Sequence, residues 1–245
     1  MRYVLIICVV FLYSCDKFTG YDYSAESIGV HSTIHGTVTN IFTSDPVKNA
    51  QMIIGDEVTS TDDKGSFSLS YLIGIDEQRD KPVRISVTAP NYYILDTTLV
   101  IVPPDMEFNI SMIYAAPIIE KAWWGSTPFF VIVNGEIAAQ PATQVLIHDN
   151  QGIANIDTVY TIFYYTKMGS PEIRVDTVGM KFISQLSNNR AYYQAIGIAH
   201  LGEGFLYYSR IVDICVFDED GFSDTISERD VTYFTDQPLF PIVFN

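Results

Sequence analysis

The sequence predicts an all-β chain: two tandem β-sandwich domains behind a short export signal. Three observations lead there. Apolar and polar residues alternate in period two through most of the chain after Thr33, with turn residues between the runs. Tyr, Phe, Val, Ile and Thr are abundant, with 16 Tyr and 15 Phe, and these side chains pack well on a pleated sheet. At 245 residues the chain has room for two domains, and 48% hydrophobic against 18% charged residues leaves ample core material.

The N-terminus comes first. Met1 and Arg2 precede an apolar run from Tyr3 to Tyr13, then Ser14 and Cys15. A bilayer-spanning helix needs ~20 apolar residues, so this run is too short to remain as an anchor and reads as an export signal, residues 1–14. Asp16, Lys17, Thr19, Gly20, Asp22, Ser24 and Glu26 then form a polar tether to about Val30. The run Leu12-Tyr13-Ser14-Cys15 resembles the bacterial lipobox, with Tyr13 larger than is usual there. The resemblance implies cleavage before Cys15 and acylation of its sulfur, hence attachment to a membrane. Each buried methylene contributes about 0.8 kcal/mol, and two or more acyl chains anchor stably where one does not. With Cys8 removed and Cys15 acylated, Cys215 has no partner for a disulfide and reads as a small core residue in the apolar run Ile211–Phe217.

The formal charge of −15, from 29 acidic and 14 basic residues, argues against nucleic acid as a partner, because that affinity rests on Lys and Arg displacing counterions. It also gives no attraction to an anionic bilayer. Attachment therefore has to be covalent or hydrophobic.

In the first domain, residues 31–114, the alternation predicts strands at Thr33–Ile41, Gln51–Ile54, Val58–Thr61, Ser66–Ser70, Val83–Ala89, Leu95–Val100 and Glu107–Ile113. Asp45-Pro46, Gly55-Asp56, Asp62-Asp63-Lys64-Gly65, Ala89-Pro90-Asn91 and Pro103-Pro104-Asp105 supply the turns. Gly36 permits a bulge or a close backbone approach, Gly65 a positive φ, and Phe67 points into the core. The series His35-Gly36-Thr37-Val38, Pro46-Val47-Lys48-Asn49-Ala50, Thr61 through Leu69 and Val83-Arg84-Ile85-Ser86-Val87 resembles the carboxypeptidase regulatory-like domain, a transthyretin-like sandwich. Asn91-Tyr92 replaces the Gly-Tyr usual in that family, and Asn tolerates the left-handed conformation. The resemblance implies no peptidase chemistry and transfers no catalytic residue.

In the second domain, residues 116–245, strands are expected at Ile118–Trp123, Phe129–Val133, Thr143–His148, Ile156–Lys167, Val175–Ser184, Ala191–Ile198, Tyr207–Phe217 and Asp224–Thr232. Two loops echo each other, His148-Asp149-Asn150-Gln151-Gly152-Ile153 and Phe217-Asp218-Glu219-Asp220-Gly221-Phe222. The pattern resembles bacterial immunoglobulin-like or fibronectin-like domains.

Chemistry is sparse. The turn Asp218–Asp220, with Asp224 beyond it, offers oxygens of the kind Ca²⁺ takes, but lacks the alternation and closing Glu of an EF-type loop; a solvated turn is the reading. His31 and His35 lie four apart on a strand, ~13 Å along it, too far to share a metal, and His148 and His200 stand alone. No nucleophile motif or phosphate loop is present, so neither enzyme activity nor a cofactor or metal is expected. The doublets Tyr164-Tyr165, Tyr192-Tyr193 and Tyr207-Tyr208 each turn one ring outward by alternation, and exposed rings stack on sugars or anchor proteins. Tyr165, Tyr193 and Tyr208 are accordingly the expected contacts for a glycan or protein partner. The function expected is a non-enzymatic, lipid-anchored cell-envelope protein, at the outer membrane or cell surface, presenting binding or spacer modules. The alternative is an enzyme, or an accessory subunit of a glycan-processing system, with an unrecognised site.

Overall fold

The computed structural model describes residues 29–74, 82–125, 129–227 and 232–243, with side chains except at 206–211. Its regular structure is strand, with two short 3₁₀ turns, and among the described residues there is no α-helix. The chain is an all-β protein of sandwich modules.

The first module carries β1 (Gly29–Asn40), β2 (Gln51–Ile54), β3 (Glu57–Ser60), β4 (Ser66–Gly74), β5 (Pro82–Thr88), β6 (Leu95–Val100), β7 (Asp105–Glu107) and β8 (Ile110–Met112). One sheet has the order β4-β1-β7, with β8 also on β1, and the other runs β3-β2-β5-β6. Along β1 alternate residues turn inward, so Ile34 and Val38 meet Met52 and Ile54 of β2 and Ile85 and Val87 of β5 in one core. Phe67 lies in that core, 5% exposed, as its place in the sequence led one to expect.

Turn chemistry follows the local sequence. Gly65 has φ 71° and Asn91 φ 65°. One carboxylate oxygen of Asp62 accepts from the amides of Lys64 and Ser66, both at 2.8 Å, and those two bonds, that of Ser66 first, hold its pKa below the usual carboxylate range. The strand expected at Glu107–Ile113 is broken in two. Phe108 and Asn109 lie opposite Gly36 and Thr37 without a change of register; the amide of Phe108 donates to the carbonyl of His35 at 2.8 Å and Asn109 Oδ1 takes the amide of Thr37 at 3.0 Å. A Cβ on Gly36 would run into the Phe108 carbonyl.

The second module carries β9 (Ile118–Trp124), β10 (Phe129–Val133), β11 (Glu136–Gln140), β12 (Ala142–His148), β13 (Ile156–Lys167), β14 (Ile173–Gly179), β15 (Lys181–Ser187), β16 (Arg190–Ile196), β17 (Ala199–His200), β18 (Phe205–Asp218), β19 (Ser223–Ser227) and β20 (Phe234–Thr235). Its two main sheets are β15-β16-β12-β9-β20 and β14-β13-β18-β19, with β10-β11-β17 as a smaller third. Ile119, Val145, Ile147 and Ala191 of the first face Val159, Phe163, Ile214 and Val216 of the second across a separate core. The single strand expected at Val175–Ser184 is divided between these sheets. The chain changes sheet at the buried Met180, whose amide donates to Val159 O at 2.8 Å. Period-two reading cannot see such a crossing, because the alternation continues through it. It also passed over β11, β17 and β20, and Asp224–Thr232 is strand only as far as Ser227, with 228–231 outside the described residues.

Candidate functional site

The two echoing loops come together. In the first, Asp149 Oδ1 accepts the amide of Gln151 at 2.7 Å; in the second, Asp218 Oδ1 accepts the amide of Phe222 at 2.7 Å. The amide of Glu219 donates to Asn155 O at 2.9 Å and ties one loop to the other. Each aspartate thus folds its own turn with one oxygen. Both are buried, Asp149 at 0% and Asp218 at 4% exposure. The second oxygen of Asp218 has no hydrogen-bond partner, while Asn155 lies beside Asp149. Burial raises both pKa values above the usual range, and their mutual charge adds to the rise at Asp149. The turn read as solvated is therefore solvated only at Glu219 and Asp220; its first carboxylate is inside.

Against these loops sits the turn before β6. Tyr93 donates its phenolic proton to the Asp220 carboxylate and stands edge-on to Phe222, ring centroids 5.4 Å apart. Burial, then the bond to Asp220 and the nearby charges of Asp218 and Asp149, push the Tyr93 phenol far above its ordinary range. Asn91, in the left-handed region, presents its carbonyl to the amide of Ala115 at 2.8 Å. Tyr92 packs edge-on to Tyr114 at 5.1 Å, and Tyr114 O accepts from Gln151 Nε2 at 3.0 Å. Asp224 Oδ2 holds the amide of Ile119 at 2.8 Å. The arrangement is a specific junction between modules: aromatic edges and carboxylates on either side of the Ala115–Pro117 link.

The residues expected to bind a partner lie elsewhere. Cys15 and the export signal fall outside the described residues. Tyr165 and Tyr193 are corrected: they are 0% and 8% exposed and belong to the core. Gly197 lies against the rings of Phe163 and Tyr165, and Tyr193 packs edge-on to Phe182 at 5.8 Å. Alternation does separate the two rings of the doublets Tyr164-Tyr165 and Tyr192-Tyr193, but the outward ones are Tyr164, whose hydroxyl donates to Asp213 at 2.7 Å, and Tyr192, against Phe240 at 5.4 Å. The phase of a strand is set by which face is buried, and a doublet carries no record of it. Tyr208 lies on β18, with its side chain outside those described.

The histidines are dispersed. His148 faces Glu120 at 3.6 Å and His200 faces Glu136 at 3.7 Å, while His31 pairs with Ser70 at 3.3 Å. Among the described residues no three His, Cys, Asp or Glu side chains gather as a metal set. Cys215 is a buried free thiol hydrogen-bonded to Tyr160.

One site escaped sequence reading. Gln144 and Gln194, opposite each other on β12 and β16, sit on the outer face of the five-stranded sheet and hold the segment 239–243 across it. The signal was present: each is a lone amide in an apolar strand, in Thr143-Gln144-Val145-Leu146 and Tyr193-Gln194-Ala195-Ile196. Gln194 and Val243 also line a cleft of about 410 Å³ with Val178, Lys181, Phe182 and Ile196.

No family model matches the chain. Nor does any curated protein. Among solved structures, the chain is similar to a putative membrane-associated protein of unknown function from Bacteroides fragilis, at 11% identity and TM-score 0.27, over 74% of this chain and 98% of that one. It is also similar to BcpA, the major pilin subunit of Bacillus cereus, at 7% identity and TM-score 0.35, over 80% and 67%. A third is a DUF3823 family protein from Bacteroides uniformis, at 11% identity and TM-score 0.24, over 79% and 96%.

Proposed function

We propose that the chain is a non-enzymatic lipoprotein of the cell envelope, anchored through acylated Cys15, that presents a carboxypeptidase regulatory-like module and an immunoglobulin-like module as binding or spacer units. The observation that carries the reading is the position of Cys15. It closes the apolar run Tyr3–Tyr13 behind Leu12, and a polar stretch separates it from β1 at Gly29. The thirteen residues 16–28 reach at most ~45 Å when fully extended, so the first module stays close to the bilayer. The Tyr93–Asp220 junction supports presentation of the second module in a set orientation to the first, as a spacer requires.

The test is intact mass and membrane fractionation of the native protein beside a Cys15→Ala variant. The expected result is a wild-type chain that begins at an acylated Cys15, and a variant released from the membrane. A wild-type chain recovered soluble and unmodified overturns the reading.

A further inference from the structure

Segment 237–243 is held by its backbone. Gln144 Oε1 accepts from the amides of Leu239 at 2.9 Å and Phe240 at 3.2 Å, and Gln144 Nε2 donates to Phe240 O at 2.9 Å. Gln194 Nε2 donates to Val243 O at 2.7 Å while its Oε1 accepts the amide of Val243 at 3.1 Å. Gln194 therefore pairs with Val243 as one peptide unit pairs with another in a ladder. The two glutamines also join each other at 3.2 Å.

Burial is one-sided. Gln144 and Gln194 are 0% and 4% exposed, yet no residue from 232 to 243 is buried. The segment covers polar groups without sinking a side chain of its own; Phe240 on Tyr192 is its ring contact. Its attachment to the sheet edge is the two-residue parallel pairing of Phe234 and Thr235 with Ala122 and Trp123. Pro238 and Pro241 remove two amides that would otherwise need partners and restrict the backbone in advance. If the segment lifts away, Gln144 Nε2 and Gln194 Oε1 keep each other, while Gln144 Oε1 and Gln194 Nε2 lose their partners. Another backbone of the same donor and acceptor order can replace these bonds; otherwise water takes them.

We propose that this groove takes segment 237–243 from a second copy of this chain as well as from its own, so that copies associate by exchanging the segment. A second copy is the occupant because it carries the fitted sequence: the same three donor amides, the same prolines, and Phe240 to meet Tyr192. Exchange of an identical element adds no contact that the single chain lacks, apart from any made between the bodies. The net charge of −15 opposes the approach of two copies, so exchange increases with ionic strength.

The test is complementation in the full chain, read by native mass spectrometry. One variant, Gln144→Leu with Gln194→Leu, has a free segment and no receptor; the other, Leu239→Pro with Val243→Pro, has a receptor and a segment stripped of two donors. Each alone is expected to be monomeric, and their mixture to form a one-to-one dimer, more of it at high salt. A mixture that stays monomeric overturns the proposal, as does a dimer of the Gln144→Leu, Gln194→Leu chain with itself. If circular dichroism shows that a variant has lost its fold, the wild-type chain decides. Unlabelled and isotopically labelled copies, mixed at high concentration, are then expected to give mixed dimers, and monomers alone reject exchange.

Discussion

The phenol of Tyr93 in the first module donates to the carboxylate of Asp220 in the second, with the Tyr93 ring edge-on to Phe222 at 5.4 Å. Two groups that are 127 residues apart in the chain are thereby brought into contact. Tyr93→Phe keeps the ring contact and removes the bond; the expected loss is about 0.5–1.5 kcal/mol, read as a lower midpoint in chemical denaturation. Tyr93→Ala removes both, and small-angle scattering should then show a broader distribution of module separations. Unchanged scattering would show that the Ala115–Pro117 link alone sets the geometry.

Buried Asp149 and Asp218 make stability depend on pH in a direction opposite to Asp62. Burial raises the folded-state pKa of the first two above 3.8. Their charged forms are therefore a penalty in the folded state at neutral pH, relieved as pH falls through the raised values toward 3.8. Asp62, lowered by its two amide bonds, contributes stability above 3.8 that is lost as pH falls through its lowered value. Asp218→Asn keeps an oxygen for the Phe222 amide and removes one penalty. Denaturation curves from neutral to mildly acidic pH are expected to shift less for this variant than for wild type. An equal or larger shift sinks the assignment.

Gly36 has a single tolerable neighbour arrangement. Gly36→Ala drives a methyl into the Phe108 carbonyl, a backbone group held in place by the Phe108 amide bond to His35 O, and is expected to cost about 1–3 kcal/mol. Gly179→Ala is the control: nothing lies within 4 Å of its would-be Cβ, so the change should stay within about 0.5 kcal/mol. Equal thermal shifts for the two variants would contradict the close approach.

Tyr165 tests core against surface. Tyr165→Ala is expected to cost about 3–5 kcal/mol because its ring is fully buried in the second core beside Phe163 and Gly197. A surface contact residue truncated in the same way would leave the melting curve within about 0.5 kcal/mol. Differential scanning calorimetry separates the outcomes, and the loss should fall on the transition of the second module.

Much of the strand plan is legible in the chain because its punctuation is local. Asp62 through Gly65 must turn wherever they are placed, Gly65 and Asn91 must supply positive φ, and Gln51–Ile54, Leu95–Val100, Phe129–Val133 and Ile156–Lys167 begin and end where the alternation does. The composition likewise leaves little but sheets to form.

The sequence by itself determined the all-β class, most strand positions and the turn chemistry, since each depends on a few neighbouring residues and their φ, ψ preferences. Only the tertiary structure decided that Tyr165 and Tyr193 face the core, where β14 and β15 part between two sheets, and that Gln144 and Gln194 grip a segment some fifty to one hundred residues further along. It also decided that Tyr93 meets Asp220. These outcomes depend on which face is covered and by what, and the covering groups come from distant parts of the chain.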